Sequence, residues 1–561
     1  MALSLSSTTR HNLKNLLICF SLGNLCFVRR WYDLEILQEP GLAYHRIAPP
    51  SPVLLLATLI CGLILAAIYA GGWLWAKRGG PLRMKFAQCM FLMMMIFPLE
   101  SVRRYWNAQL GHFDLISNVA LVCIEALLAA GLVMALRGNA RVVTPARQVA
   151  MMLTFMFPAL MFDFVSGSLS AEPASAFENR PSAEALPTRA DAPRLIWIIF
   201  DEMDQRVAFD ARPSSLQLPE IDRLRAESIV ANHATQTAQF TGIALPSLIS
   251  GELFRVTSMV GASKLEVIRE GSASTEDWRD QPNVFQHARR MGINSALDGW
   301  YHPYCRIFGD QLVQCFATPS GHAGRAMLRE RHASQNGLWN TVGFLFQLQW
   351  ENLKDMYRFN GTSGSETLKA AYLQNEQQQE YFQIRDHAYA AAVDPRIGLL
   401  LIHVPAPHMY AIYNRRQGDF SLNGSLDYLD NLALVDRTVG ELRAKLEGAG
   451  LWDRTSLLIT ADHGFRPDLW RGNYGWTDTM DKLFSTGASQ TVPFIVKLAG
   501  KQEHAVFDRP FSNIVSGDLS LEVLSGRVST AEQAVAWLEH RATDVHKPVS
   551  QSASAGSLAA R

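Results

Sequence analysis

Residues 194–204 read RLIWIIFDEMD. After Arg194 the chain is apolar without interruption, and the run stops at Asp201 and Glu202. A strand with one wet face alternates apolar and polar side chains, whereas a strand covered on both faces does not. This stretch therefore predicts a central strand of a parallel sheet. Working outward, the same signature returns in GLLLIHV (398–404) and TSLLITADHG (455–464), with further strands at INSALDGW (293–300) and TVPFIVKL (491–498). Helical spacing lies between them, at 218–228, 283–292, 366–392 and 425–450, and again at 530–541. Strands alternating with helices predict an α/β fold with a mostly parallel central sheet and helices on both faces.

Ligands of such sheets lie beyond the carboxyl ends of the strands. Three of the buried runs end in groups able to hold a metal: Asp201 with Glu202, His403 with His408, and Asp462 with His463. Any one pair reads as ordinary turn chemistry. Three in the same sheet context point to one divalent ion, with Zn²⁺ or Mn²⁺ suiting the mixed imidazole and carboxylate set and Ca²⁺ or Mg²⁺ as the alternative.

The first part of the chain has a different composition. Residues 1–168 carry 14 Lys and Arg against 7 Asp and Glu, and residues 169–561 carry 38 against 45. The net charge of zero is thus +7 followed by −7, and no basic domain suggests nucleic-acid binding. VLLLATLICGLILAAIYAGGWLW (53–75) has 23 residues without a charge. A bilayer core of ~30 Å needs about 20 such residues in a helix. Segments 13–28, 86–99, 115–136 and 149–167 are also apolar. The basic loops 76–85 and 137–148 read as cytoplasmic, so five crossings place the amino terminus inside and the large domain outside. The expected organisation is a transmembrane domain over 1–168, a linker over 169–192, a catalytic domain over 193–545 and a disordered tail over 546–561. Glu125 and Asp163 are isolated acids in this region and make a poor relay. Five of the seven cysteines fall in the apolar segments. The other two, Cys305 and Cys315, stand ten apart in the outer domain and are expected to pair there.

In chain order, IIFDEMD, TAQFTGIALPSLISG, LLLIHVPAPH and LLITADHG resemble the sulfatase-like branch of the alkaline phosphatase superfamily. With a membrane domain in front, the chain is similar to envelope phosphoethanolamine and phosphoglycerol transferases. The resemblance implies an alkaline-phosphatase-like α/β sandwich that cleaves or transfers a phosphate or sulfate ester through a covalent threonine. In the transferases that threonine begins a helix five residues before a proline, which matches Thr241 and Pro246, with Thr237 the next candidate. The Cys/Ser-x-Pro-x-Arg pattern of true sulfatases is absent, because Ala244 and Leu248 hold its places. A second metal would need an acid four residues before His408, where Val404 stands. The resemblance therefore implies one metal on Asp201 or Glu202, Thr241, Asp462 and His463. His408 is expected to donate to the substrate or the leaving oxygen. DGWYHPYC (298–305) resembles the sulfatase Gly-Lys-Trp-His segment, which puts His302 and Trp300 on the substrate side, Trp300 as a stacking surface. Arg466 is a candidate anion clamp, and His403 is held between a substrate contact and a core residue. The expected partners are an anionic ester, of lipid or envelope glycan origin, and the bilayer. The expected location is the inner or plasma membrane, with the catalytic domain on the periplasmic or extracellular side. The alternative is a catalytically silent glycan- or lipid-binding domain on a membrane anchor.

Overall fold

The computed structural model describes residues 6–28, 31, 52–110, 114–169, 178–318, 337–350 and 364–542, apart from 138, 140, 142, 190, 261, 423–425, 472–474, 486, 488 and 501–502. The chain forms two compact units. The expected tail over 546–561 lies outside the described residues.

The first unit gathers helices α1 (Ser7–Leu25), α2 (Pro52–Lys77), α3 (Pro81–Met94), α4 (Ile96–Leu110), α5 (Asp114–Leu136), α6 (Val143–Leu153) and α7 (Met156–Leu169). Two stretches, Pro52–Lys77 and Pro81–Arg103, are long and apolar enough to cross a bilayer, with mean hydropathies of 2.7 and 1.4. Segment 149–167 is not one helix. It turns at Thr154 and Phe155, because Pro158 has no N–H to give and its ring crowds the carbonyl four residues earlier. Pro98 follows the corresponding turn at Met95. Residues 337–350 are helical and belong to this unit, although the sequence reading puts them in the outer domain. Val342 and Leu345 are buried there among Phe27 and Cys61, and Phe346 meets the Phe27 ring edge-on at 5.5 Å.

The second unit is built on an eight-stranded sheet. Its strands are β1 (Arg194–Asp201), β2 (Ile229–Ala231), β3 (Ser295–Trp300), β4 (Gln314–Thr318), β5 (Leu399–Pro407), β6 (Thr455–Ala461), β7 (Phe494–Lys497) and β8 (Ala505–Phe507), in the order β8-β2-β7-β6-β1-β5-β3-β4. β1 lies between β6 and β5, parallel to both, and every residue of these three strands is buried. Only β7 runs opposite to its neighbours. The short strands β2, β4 and β8 carry too few apolar residues to stand out in the sequence. A separate three-stranded sheet over 254–277 has mixed charged and apolar faces and escapes the sequence reading for the same reason.

Three helices matter for the site. α8 (Thr241–Ser250) ends at Gly251, whose φ of 68° is the left-handed stop that glycine permits. α9 is Gly364–Val393. α10 (Tyr428–Gly448) starts in a reciprocal cap between Asp427 and Asp430. The described part of the expected linker is a strap tied to this unit: the Arg180 amide donates to the Cys305 carbonyl, the Ala183 amide to the Leu312 carbonyl, and the Leu186 amide to Asn294 Oδ1.

Candidate active site

β1, β5 and β6 are adjacent and parallel, so Asp201 and Asp462 at the carboxyl ends of β1 and β6 and His403 within β5 come to one place. One ligand atom from each of the three lies within 4.8 Å of the other two. Asp201 Oδ2 is 3.8 Å from His403 Nε2, and Asp201 Oδ1 is 3.7 Å from His463 Nε2. Asp462 Oδ2 is 3.4 Å from His463 Nε2. All four side chains are fully buried.

Thr241, the first residue of α8, reaches into this group. Its hydroxyl is 3.4 Å from Asp201 Oδ2 and 3.2 Å from His463 Nε2. The helix begins here because the Phe240 carbonyl accepts from the Ile243 and Ala244 amides. The amides of Thr241 and Gly242 precede the first intrahelical bond and face outward, which makes the helix start a place for an anion. Thr237, the other candidate, is also buried, and its hydroxyl has no hydrogen-bond partner among the described residues.

The three histidines share one tautomer. His463 Nδ1 donates to the Gly464 carbonyl at 2.9 Å, His403 Nδ1 to the Trp300 carbonyl at 3.0 Å, and His408 Nδ1 to the Met409 carbonyl at 2.6 Å. Each therefore presents an Nε2 lone pair to the cleft. Burial holds all of them neutral: it lowers His403 and His408 to about 3 and drives His463 well below its usual value. His408 accordingly offers an acceptor where the sequence reading expects a donor. Burial raises Asp201 well above the usual carboxylate range, with the Asp462 charge adding to the effect, and raises Asp462 to about 6.

A divalent cation suits this donor set. Asp201 Oδ1, Asp462 Oδ2 and His403 Nε2 are buried and have no hydrogen-bond partner among the described residues. Ligand atoms about 2.0–2.2 Å from a tetrahedral ion stand roughly 3.3–3.6 Å apart. Five pairs among Asp201, Thr241, His403, Asp462 and His463 stand 3.2–3.8 Å apart, close to that spacing, and ligand atoms of Asp201, His403 and Asp462 all lie within 4.8 Å of one another. His403 thus sits with the candidate metal ligands and not in a separate substrate position.

Glu202 departs from the expected ligand set. Its Oε1 accepts the Arg466 amide at 2.9 Å and Arg466 Nε at 3.1 Å, and its Oε2 accepts Trp470 Nε1 at 3.2 Å. Three N–H donors thus hold the carboxylate, and its Oε2 lies 4.0 Å from His408 Nε2. Trp300 does not offer a face to a sugar. It is 3% exposed and forms the wall behind His408 and His403, with ring centroids 5.3 and 6.0 Å away. His302 is fully buried against Trp278 and hydrogen-bonds the Thr241 backbone, so it braces the start of α8 instead of meeting a substrate. Cys305 and Cys315 are bonded to each other. That bond fixes the turn holding Tyr304, whose hydroxyl lies 3.1 Å from His403 Nδ1.

Several contributors carry no sequence signal. Tyr428 donates its hydroxyl to the Glu202 carbonyl and accepts from the Asp204 amide. Asn431 Nδ2 donates to the His408 carbonyl at 2.8 Å, and Gln236 Oε1 accepts the Gly464 amide at 2.7 Å. Tyr301 has a φ of 78°, and a Cβ on Gly242 would stand 3.3 Å from its hydroxyl. All of these act through distant backbone, which no local pattern records.

Residues 185–485, more than half of the chain, match the model of the type I phosphodiesterase / nucleotide pyrophosphatase family. The chain belongs to that family, and with it to the enzymes of the alkaline phosphatase superfamily. Among solved structures it is similar to a phosphonate monoester hydrolase from Silicibacter pomeroyi (16% identity, 59% of this chain and 73% of that one, TM-score 0.36). A sulfatase from a Pseudoalteromonas species gives 16% identity, 62% and 74% coverage and a TM-score of 0.38. A lipoteichoic acid synthase from Listeria monocytogenes gives 12%, 59% and 72%, and 0.33. No curated protein matches the chain.

Proposed function

We propose that this protein is a membrane-anchored, metal-dependent enzyme that cleaves or transfers an anionic ester through Thr241. The observation that carries the reading is the Thr241 hydroxyl, 3.2 Å from His463 Nε2 and 3.4 Å from Asp201 Oδ2 at the start of a helix. Asp201, His403, Asp462 and His463 would hold one divalent ion. Such an ion lowers the pKa of a neighbouring hydroxyl and offsets charge that builds on the ester oxygens.

Thr241 Oγ attacks the phosphorus or sulfur, and its proton passes to Asp201 Oδ2. The bond to the leaving oxygen breaks, and that oxygen takes a proton from solvent. The amides of Thr241 and Gly242 receive the non-bridging oxygens. His408 Nε2 then accepts a proton from water or an acceptor hydroxyl, which attacks the threonine ester. Thr241 leaves with the proton held by Asp201, and His408 releases its own to solvent.

The charge balance narrows the substrate. Asp201 and Asp462 are offset by a divalent ion, Glu202 is offset by Arg466, and the imidazoles are neutral. A site near net zero suits a singly charged ester, a phosphodiester or a sulfate monoester, over a doubly charged phosphate monoester. The apolar helices, the +7 and −7 halves and the Cys305–Cys315 bond together support a catalytic domain on the outer side of the membrane, with a lipid or envelope glycan as the source of the ester.

The test is turnover by the full-length, metal-loaded protein in detergent of a bis-aryl phosphodiester, an aryl sulfate and an aryl phosphate monoester. We expect one of the singly charged esters to be preferred. Thr241→Ala should lower kcat by at least about a thousandfold, since a nucleophile has no substitute. Full activity in Thr241→Ala would remove the nucleophile from the reading.

A further inference from the structure

Glu202 and Arg466 form a pair that the ester-cleaving reading leaves unexplained. Glu202 is 0% exposed, and its carboxylate takes three N–H donors, two from Arg466 and one from Trp470. Its own backbone is held as firmly: the amide donates to Asp462 Oδ1 at 3.1 Å and the carbonyl accepts from Tyr428 at 2.8 Å. It adopts a φ of 70°, a left-handed conformation that residues with a Cβ rarely take. Turning this carboxylate toward a cation would disturb the bonds that hold the Arg466 guanidinium and the Trp470 indole.

Arg466 is oriented by that grip. Only its Nε is bonded to Glu202, and among the described residues its two Nη atoms take no partner. The side chain is 19% exposed, and the Asp201 and Asp462 carboxylates act on its charge together with Glu202. Its Cζ lies 5.8 Å from the ring centre of Phe240, the residue before Thr241. An unpaired arginine would sample many rotamers, and a carboxylate on Nε leaves the Nη edge free in a fixed plane for bidentate contact with an oxyanion.

We propose that Glu202 is a positioning residue and not a metal ligand: it aims Arg466 at the oxyanion of the ester bound at Thr241, so that one metal ion and one fixed arginine share the substrate's charge. This rests on the function proposed above. The arrangement separates two adjacent acids by task. Asp201 faces the ion, and Glu202 sets the direction of the arginine.

The experiment uses the full-length protein in detergent, with metal content measured by elemental analysis and orthovanadate and sulfate as anion probes, beside kcat and KM for the preferred aryl ester. In Glu202→Gln the amide oxygen still accepts from Arg466, but without charge. We expect unchanged metal content, a rise in KM and in the anion Kd of roughly tenfold from loss of a charge-assisted bond, and a smaller change in kcat. Arg466→Gln should raise the same two constants at least as far. The double variant should be no worse than Arg466→Gln alone, because the glutamate acts only through the arginine. Retained metal also reports that each variant is folded. Loss of metal in Glu202→Gln, or additive losses in the double variant, would overturn the proposal while leaving the enzyme reading intact. Wild-type protein that binds metal but neither turns over an ester nor binds either anion would overturn both.

Discussion

The pocket around Asp201 and the pocket around Glu202 begin from consecutive carboxylates, both fully buried, and they differ in what surrounds them. Asp201 meets a threonine hydroxyl and imidazole nitrogens at 3.4–3.8 Å, and its Oδ1 has no hydrogen-bond partner among the described residues. Glu202 meets an arginine and an indole at 2.9–3.2 Å. A buried anion must be compensated, either by donors from the protein or by a cation from outside. The pocket with the single long hydroxyl contact is the one that suits an ion, and the one with three N–H donors suits an arginine held still. Asp298 on β3 is a third case. Its side chain is buried, it takes only a weak contact from the Phe316 amide, and burial pushes it up to about 7.

The largest expected effect breaks this comparison on the Asp201 side. Asp201→Asn should lose the metal and lower kcat/KM by about a hundredfold or more, while Glu202→Gln keeps the metal. Equal metal loss in both, read by elemental analysis, would mean that the two acids do the same work. An intermediate effect is expected at His302, which supports Thr241 from behind. His302→Ala should lower kcat by roughly tenfold through misplacement of the nucleophile, with KM and metal content near wild type. A KM effect alone would return His302 to the substrate side.

The smallest effect concerns stability at Asp298. Its folded pKa of about 7 lies above the unfolded carboxylate value of about 3.9. The folded state therefore holds the proton more tightly, so stability is greatest below about pH 4 and falls as pH rises toward 7. Asp298→Asn removes that loss. Thermal melts should show the variant more stable than wild type at pH 8, with the gap narrowing through pH 5 and closing near pH 4. A gap that does not change with pH would show that Asp298 is compensated after all.

Much of this is legible in the sequence alone. The uninterrupted runs at 194–200, 398–404 and 455–461 predict buried parallel strands, and β1, β5 and β6 are those strands. Asp201, Thr241, Asp462 and His463 stand where a strand ends or a helix begins, a position that local sequence records, and the structure brings them together. The surroundings of Glu202, Trp300, His302 and His408 are not recorded in local sequence. In each case the residue type and position suggest a substrate or metal contact, but the partner that decides the role of Glu202 and of His302 lies far along the chain. For Glu202 it is Arg466 and Trp470, and for His302 the Thr241 backbone and Trp278; His408 differs, because its Nδ1 bonds the neighbouring Met409 carbonyl while the distant Asn431 holds the His408 carbonyl.

The sequence by itself determined the class of fold, the division into an apolar, basic first part and an acidic α/β part, and the chemistry available at the strand ends. These follow from local properties: periodicity, charge and residue type. Only the tertiary structure decided which of two neighbouring acids lies beside Thr241 and His403 and which beside Arg466, which nitrogen of His403, His408 and His463 bonds a backbone carbonyl, and that His403 joins Asp201 and Asp462. Those outcomes depend on the order β6-β1-β5 and on donors brought in from other elements. A buried carboxylate's role is set by the hydrogen bonds it finds, and those partners are neighbours in space and not in sequence.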